Sequence, residues 1–190
     1  FNGVRELPPG HMMIAQGSSR TVSQWWRMQF PRDGEFETPE RPVEQLGELL
    51  EDATRIRLRA DVPVGAYLSG GLDSSLIVAL LAESGQKDLQ TFSIGFESVN
   101  GLEGDEFVYS DIVAKKFGTT HHRIPIATSR AIPAMAGAVS QMSEPQVSHD
   151  AIGFYLLSEE VSQHVKVVQC GQGADEVFGG YHWYPHMLRS

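Results

Sequence analysis

The chain has 190 residues, of which 24 are acidic and 15 are basic, so its formal net charge is −9. Its 41% hydrophobic and 21% charged residues are typical of a globular protein and exclude a disordered chain. The acid excess argues against nucleic-acid and membrane partners, because both require clustered lysine and arginine. A single cysteine excludes an intramolecular disulfide, and no apolar run approaches the roughly 20 residues that span a bilayer. We therefore expect a cytoplasmic protein.

The sequence divides into three regions by composition. Residues 1–30 contain short apolar runs with Pro8-Pro9-Gly10 as a turn between strands, and they predict the end of a β-rich unit. Residues 31–42 are polar, contain three prolines and lack an apolar period, as linkers do. Residues 43–190 follow as the main domain. Because the chain begins without Met and ends without a closing structural signal, we expect a piece of a longer protein, truncated at its C-terminus.

The main domain alternates helix and strand patterns. From Val43 to Ala60 the apolar residues recur at helical spacing and predict a long amphipathic helix. The later predicted strands are 62–68, 91–96, 119–126 and 165–170, and the later predicted helices are 76–82, 106–117, 132–142 and 150–162. Strands that alternate with helices of this length predict an α/β fold with a doubly wound, mostly parallel sheet.

The most informative segment reads Ser69-Gly70-Gly71-Leu72-Asp73-Ser74-Ser75 and lies between a predicted strand and a predicted helix. Ligands of open α/β sheets bind beyond the carboxyl ends of strands. Glycines let the backbone approach a ligand, N–H groups at a helix start favour an anion, and Asp73 offers a hard oxygen for Mg²⁺. The loop therefore predicts a pyrophosphate cradle, although the lysine of a Walker A loop is absent. The alternative is a tight turn whose Ser and Asp side chains merely cap the helix.

A second loop reads Cys170-Gly171-Gln172-Gly173-Ala174-Asp175-Glu176 and also follows an apolar strand. Two such loops on one sheet edge could face one nucleotide, with Asp73 and Asp175 sharing magnesium ions. The alternative is an exposed first helical turn at Asp175-Glu176 and a helix end at Gly179-Gly180. We expect Cys170 to be a small buried residue at the strand end, as free cysteines often are.

The adjacent pair His121-His122 raises the possibility of a metal site. Neighbouring residues of a strand point to opposite faces of the sheet, so the two imidazoles cannot chelate one ion together. We expect surface or packing roles for both.

Together these motifs resemble those of a known family. Residues 69–75 resemble the pyrophosphate loop of the N-type ATP pyrophosphatases, which have an adenine nucleotide alpha hydrolase-like fold. Residues 171–181, Gly-Gln-Gly-Ala-Asp-Glu-Val-Phe-Gly-Gly-Tyr, resemble the second signature of asparagine synthetases. With Thr119-Thr120-His121-His122 between them, the pair resembles the glutamine-hydrolysing asparagine synthetases from residue 1 to residue 184. The resemblance implies a ligase that uses ATP and Mg²⁺ to adenylate an acid, releases pyrophosphate and forms an amide with glutamine-derived ammonia.

The resemblance also implies roles for individual residues by matching position. Pyrophosphate and Mg²⁺ would be held by Ser69, Gly70, Gly71, Asp73, Ser74 and Ser75, with Asp175 as the second magnesium carboxylate. Adenine and ribose would lie against the backbone of Leu68, Ile94 and Gly171. Several family members carry Glu, a candidate base for the ammonia step, where this chain has Gln172. Because a primary amide cannot accept a proton at neutral pH, Gln172 implies a hydrogen-bonding role or a different acceptor.

The resemblance further implies the partners. Residues 1–30 resemble the last strands of a glutaminase domain, so glutamine would act through a domain that this chain lacks. The acceptor would be aspartate or a γ-carboxyl or peptide-like acid, and residues 144–150 would face it. The segment Ser148-His149-Asp150-Ala151-Ile152-Gly153-Phe154-Tyr155, together with 171–173, resembles a bacterial branch that makes the amide of N-acetylglutaminylglutamine.

Two alternatives stay open at this point. One is another ATP-pyrophosphatase activity, such as a β-lactam-synthetase-like cyclisation, and the other is a non-catalytic nucleotide-binding domain. The oligomeric state is also open, and the isolated 190-residue piece is expected to be inactive.

Overall fold

A computed structural model of the protein describes residues 2–30, 40–96, 107–143 and 150–187. The chain divides into two compact units, Phe1–Pro42 and Val43–Ser190. Most of the predicted linker, residues 31–39, lies outside the described residues.

The first unit contains an antiparallel hairpin of β1 (His11–Gln16) and β2 (Ser19–Gln24). Gly17 opens the two-residue turn with a φ of 58°, which suits the turns that join twisted hairpin strands. The predicted turn between strands at Pro8-Pro9-Gly10 was wrong in position, because that turn precedes β1. Its prolines have no N–H group to give to a strand ladder, whereas the His11 N–H closes the turn on the Pro8 carbonyl.

The second unit is built on a parallel sheet of four strands: β3 (Val64–Tyr67), β4 (Gln90–Phe96), β5 (Thr120–Ile126) and β6 (Val167–Gln169). Their order across the sheet is β5-β4-β3-β6, and all three neighbouring pairs run parallel. Ala66 of β3 pairs with Thr91 on one side and with Gln169 on the other. Within this sheet, β6, the last strand in chain order, therefore lies beside β3, the first.

Helices cover both faces of this sheet. Their bounds are α1 (Pro42–Ile56), α2 (Leu72–Glu83), α3 (Phe107–Phe117), α4 (Ala131–Gln141), α5 (Asp150–Val161), α6 (Ala174–Phe178) and α7 (Tyr184–Met187). Helices α2 and α3 pack on one face, whereas α5, in contact with α4, packs on the other. This arrangement confirms the predicted doubly wound α/β fold. Of the helices in the described ranges, none is long and apolar enough to cross a lipid bilayer.

Two hydrophobic clusters, one on each face, hold the layers together. The first contains Ala66, Leu68, Val78, Leu81, Leu89 and Ala114, and the second contains Phe92, Leu157, Val161 and Val165. Successive side chains of β4 alternate between the faces: Phe92 packs with α5, and Ser93 lies on the α3 side. Strand β3 at the centre of the sheet is buried along almost its whole length, which is why residues 62–68 read as an apolar run in the sequence.

Several element bounds differ from the predicted ones. Strand β3 begins at Val64, two residues late, because Pro63 has no N–H group for the ladder. Helix α1 ends at Ile56, since the N–H groups of residues 57–59 bond to carbonyls three residues back and tighten the chain into turns. Strand β6 spans three residues rather than six and pairs only where short β3 offers a partner.

Candidate functional site

The two predicted loops meet where the strand order reverses. The chain moves from β3 to β4 and β5 in one direction and then returns to place β6 on the other side of β3. Open α/β sheets bind ligands at such a switch point, beyond the carboxyl ends of the strands. The loop after β3 (residues 68–71) and the loop after β6 (residues 170–173) both begin there. The topology therefore brings together two motifs that are far apart in the sequence.

A cavity of about 300 Å³ lies between these loops. Nine predicted site residues line it: Leu68, Ser69, Gly71, Asp73, Ser74, Ile94, Gly171, Gln172 and Asp175. Its walls also include the rings of Phe92, Phe154 and Tyr181. Cavities of this size with apolar walls and a few polar groups are typical of small-molecule sites.

The two remaining predicted residues, Gly70 and Ser75, are not among the residues that line the cavity, and they support its first loop. The Ser75 hydroxyl donates a 2.6 Å hydrogen bond to the Gly71 carbonyl. Gly70 has a φ of 89°, and a Cβ atom there would stand 2.5 Å from the Cβ of Tyr109 on α3. The loop can lie this close to α3 only because position 70 has no side chain.

The serines of the first loop bond to the loop itself. The Ser69 and Ser74 hydroxyls are 3.0 Å apart, and Ser74 also accepts from the Ser69 N–H and donates to the Gly71 carbonyl. Helix α2 begins after Gly71 without a side-chain cap. The alternative in which Ser and Asp side chains cap the helix is therefore wrong. Among the described residues, the first-turn N–H groups of α2 have no side-chain acceptor, which is the arrangement that binds anions.

Gly71 differs from Gly70 in a way that can be tested. Its φ of −68° is open to any residue, and apart from its chain neighbours the one atom of the described residues within 4 Å of an added Cβ is Ser69 Oγ, at 3.4 Å. We expect Gly71→Ala to keep the melting temperature but to weaken ATP binding by about tenfold, because a methyl group would stand at the cavity wall. Thermal unfolding and titration calorimetry measure the two effects. Gly70→Ala should instead lower the melting temperature, and unchanged ATP affinity in Gly71→Ala would contradict the prediction.

The second loop contacts the first through Gly171. A Cβ atom on Gly171 would stand 2.7 Å from the carbonyl carbon of Asp73 and 2.8 Å from the Ser74 nitrogen. Helix α6 then begins after Gly173 and ends at Gly179, both with positive φ. Asp175 lies in the first turn of α6, and its carbonyl accepts from the Gly180 N–H at 3.0 Å.

Asp73 and Asp175 each supply one carboxylate to the cavity wall. Both are half-buried, and within the described ranges neither takes part in an ion pair. The described part of the chain contains no group of three or more His, Cys, Asp or Glu that could hold a metal by itself. Magnesium is commonly bound through one or two carboxylates together with substrate phosphates, so this pair fits that ion.

The prediction that Cys170 is buried is wrong. It is exposed and lines the cavity, because it is the first residue beyond β6 and the helical layers leave the carboxyl edge of the sheet open.

Tyr181 is a cavity residue to which the sequence analysis gave no role. Its hydroxyl donates a 2.8 Å hydrogen bond to Glu176, and this bond is the main cause that raises the pKa of Tyr181 to about 12. Its ring stacks on Trp183 at 4.2 Å. The one sequence feature that could have pointed to a role for Tyr181 is its place at the end of the second motif, residues 171–181.

Gln172 lies between the cavity and a second groove. This groove, of about 630 Å³, runs between α4 and α5 and is lined by Tyr155, Asp150 and Ser158 among others. Gln172 and Phe154 line both spaces. The segment predicted to face the acceptor falls mostly on residues 144–149, outside the described residues, but its last member, Asp150, lies in this groove.

The two adjacent histidines contact opposite faces of the sheet, as their spacing predicts. His121 bonds to Ser110 of α3, whereas His122 stacks on Phe92 at 4.8 Å and lies 4.3 Å from the ring of His164. His122 is a packing residue, as expected, whereas His121 contacts its neighbours through hydrogen bonds.

Burial lowers the pKa of both His121 and His122; Asp111 opposes the shift at His121 and His164 reinforces it at His122. An unfolded histidine titrates near pH 6.5. Below that pH the unfolded chain binds more protons than the folded chain, so acid favours unfolding. We expect the free energy of unfolding to be level above about pH 7.5 and to fall as the pH drops through 6.5. Urea unfolding between these values measures it, and the slope should be smaller in His122→Gln; an equal slope would contradict the assignment.

Comparison with known proteins places the chain in a family. Residues 45–190 match the family model of asparagine synthase. The glutamine-hydrolysing asparagine synthetase 3 of Bacillus subtilis is 28% identical over 195 residues, which cover 97% of this chain and 31% of that protein. The glutamine-hydrolysing asparagine synthetase of Brassica oleracea is 31% identical over 190 residues, 94% of this chain and 31% of that protein.

An archaeal relative from Methanocaldococcus jannaschii, provisionally described as a glutamine-hydrolysing asparagine synthetase, is 38% identical over 95% of this chain and 35% of its own length. The solved NH3-dependent NAD synthetase of Campylobacter jejuni is similar with a TM-score of 0.48 and 16% identity, covering 73% of this chain and 60% of that one. The chain spans about a third of the length of the curated relatives named here. Since the family match includes both loops and the whole parallel sheet, the chain belongs to the asparagine synthase family.

Proposed function

We propose that this chain is the adenylating part of an ATP-dependent amidotransferase of the asparagine synthetase type. The observation that carries the proposal is the meeting of the two loops around one cavity, with one carboxylate from each loop, at the switch point of the sheet. Membership of the family supports the same reading.

Different residues of the cavity bind different parts of ATP. The first-turn N–H groups of α2 bind the pyrophosphate together with Ser69 and Ser74, which line the cavity, whereas Ser75 holds the loop through the Gly71 carbonyl. The backbone of Leu68, Ile94 and Gly171 lies against adenine and ribose. Asp73 and Asp175 hold Mg²⁺, which would neutralise the charge of the phosphates. Adenylyl transfer depends mainly on positioning and charge stabilisation, so this set needs no strong base.

In the proposed reaction, a carboxylate oxygen of the acceptor attacks the α-phosphorus of ATP, and the bond to pyrophosphate breaks. Ammonia then attacks the acyl carbon, AMP leaves, and an amide remains. Glutamine supplies the ammonia through a glutaminase domain, to which residues 1–30 contribute the final strands. Residues 31–42 link it to the synthetase domain, residues 43–190, in a cytoplasmic protein.

The acceptor is proposed to be aspartate or a γ-carboxyl or peptide-like acid. The groove between α4 and α5 adjoins the cavity, since Gln172 and Phe154 line both, and an acceptor acid in this groove would lie on the cavity side at which Gln172 stands. Gln172 can hydrogen-bond to the acceptor or to ammonia, but its amide cannot take a proton from ammonia. Another group therefore accepts that proton.

Pyrophosphate release by the full-length protein tests the proposal. The assay screens aspartate, glutamate and γ-glutamyl peptides with Mg²⁺-ATP and either glutamine or ammonia, and mass spectrometry identifies the product. We expect one acid to give equal amounts of pyrophosphate and amide, and chelation of Mg²⁺ to stop both. Pyrophosphate release with a cyclised product would support the β-lactam-synthetase-like alternative, whereas ATP binding without any turnover would support a non-catalytic domain.

A further inference from the structure

A buried polar cluster lies behind the adenine side of the cavity. It joins β4, β5 and α3, and its centre is His121, whose side chain is 10% exposed. His121 Nδ1 lies 2.9 Å from Thr91 Oγ1, and Nε2 lies 3.3 Å from Ser93 Oγ and 3.2 Å from Ser110 Oγ. All three hydroxyl residues are at most 4% exposed. Buried polar groups are hydrogen-bonded almost without exception, so their proton positions can be assigned from the partners that each group has.

The carbonyl partners of the two serines fix the direction of these bonds. Ser93 donates its single hydroxyl proton to the Leu68 carbonyl, and Ser110 donates its own to the Phe107 carbonyl. Each serine oxygen can therefore only accept from His121, which assigns the ring proton to Nε2, and this one N–H group is shared between the two oxygens. Nδ1 then accepts from Thr91, which in turn accepts from Thr119 at 2.8 Å. The result is one directed chain of hydrogen bonds from Thr119 to the Leu68 carbonyl.

The end of this chain is part of the nucleotide site. Leu68 is the first residue beyond β3, and both it and Ile94 line the cavity. Its N–H donates to the Phe92 carbonyl at 2.8 Å and its carbonyl accepts from Ser93, so both of its peptide groups are held by β4. Ser93 is the residue between Phe92 and Ile94. A change in the orientation of the Ser93 hydroxyl would therefore move the backbone on which adenine is proposed to lie.

We infer that His121 is a positioning residue for ATP: its Nε2–H group orients the Ser93 hydroxyl, which fixes the Leu68 carbonyl at the cavity rim. This inference rests on the proposed nucleotide site, because it concerns the backbone that would bind adenine. The role requires a proton on Nε2, and the bond that Nδ1 accepts from Thr91 requires the ring to be neutral. Burial is the largest effect on His121: it lowers the pKa and favours the neutral ring, and Arg123 and His122 act in the same direction. The Asp111 carboxylate and a hydrogen bond with the Thr91 backbone act against it.

Two substitutions of His121 distinguish the role of Nε2 from that of Nδ1. In His121→Gln the amide nitrogen falls near the position of Nε2 and can still donate to Ser93. In His121→Asn the shorter amide reaches only the position of Nδ1, so the bond to Thr91 can be kept and the bond to Ser93 is lost. We expect the Kd and KM for ATP to rise about tenfold in the Asn variant and less than about threefold in the Gln variant, with kcat changed less than about twofold in both. Titration calorimetry and pyrophosphate release with the full-length protein measure these values.

Ser110→Ala is the matched control. It removes a buried hydroxyl from the same cluster but leaves the bond between Ser93 and Leu68, so it should lower the melting temperature without raising the KM for ATP. Ser93→Ala is a second route to the same result, should His121→Asn fold poorly, and it should raise the KM for ATP about tenfold.

The possible outcomes separate the two ideas. Equal ATP affinity in the wild type, His121→Asn and Ser93→Ala would overturn the inference, as would an equal rise in KM for Ser110→Ala. Absence of ATP binding by the wild type would instead overturn the proposed function.

Discussion

Replacement of Gly171 by alanine is expected to lower pyrophosphate release by the full-length enzyme at least about 100-fold. The added Cβ would lie 2.7 Å from the Asp73 carbonyl carbon and 2.8 Å from the Ser74 nitrogen, and neither atom belongs to a flexible side chain. The two loops would have to move apart by several tenths of an ångström or more. Since one carboxylate of the proposed magnesium pair is on each loop, this movement would separate the groups that act together on the phosphates.

Gly47→Ala is the control for this substitution. Gly47 lies inside α1, and in the described part of the chain no atom beyond its chain neighbours and its own helix backbone lies within 4 Å of the position its Cβ would take. The alanine variant should keep full activity and gain about 0.5–1 kcal/mol in the free energy of unfolding, as helix propensity predicts. Pyrophosphate release and urea unfolding on both variants give the comparison. A Gly171→Ala enzyme with the wild-type kcat/KM would show that contact between the loops is not required.

Asp73→Asn and Asp175→Asn are each expected to lower pyrophosphate release by about 10²- to 10³-fold. Asparagine keeps the shape of the side chain but removes the charge that suits a magnesium ion. The concentration of Mg²⁺ that gives half-maximal activity should rise in both variants. If the two carboxylates act on the same ions, the double variant should lose much less than the product of the single losses.

Glu83→Gln removes a negative charge from the last residue of α2, away from the residues that line the cavity, and serves as the control. It should leave both the rate and the Mg²⁺ requirement unchanged. An Asp73→Asn or Asp175→Asn enzyme with wild-type Mg²⁺ dependence would remove that residue from the magnesium site.

The fold could be predicted because its signals are local. The apolar runs of β3 and β6 and the helical patterns between them identify each layer within a short window of sequence. The position of β6 beside β3 could not be predicted from local patterns, because strand order depends on contacts between residues that are far apart in the sequence. Once it is known, the two loops that the sequence singled out are neighbours, and nine of the eleven predicted site residues line one cavity.

The failures have the same physical origin. The pair Gly70-Gly71 looks like one feature in the sequence, but only Gly70 must be glycine for the chain to fold, because it lies against α3. Among the described residues, none would clash with a side chain at position 71. Cys170 was expected to be buried because free cysteines usually are, but the sheet edge at which it lies is open. Tyr181 and the cluster around His121 act through partners on other elements, which no local pattern reveals.

The pairing of β6 with β3 has a consequence for how the protein matures. Val64 pairs with Val167, so the contact closes a loop of about 100 residues, and the seam is only three residue pairs long. Such distant parallel pairing forms slowly. Until it forms, the loop after β6 is not held beside the loop after β3. A nucleotide that touches both loops binds only molecules in which β6 has docked, and it stabilises that state by mass action. ATP would then act as a folding ligand that draws the nascent domain toward its finished form before any acid is activated.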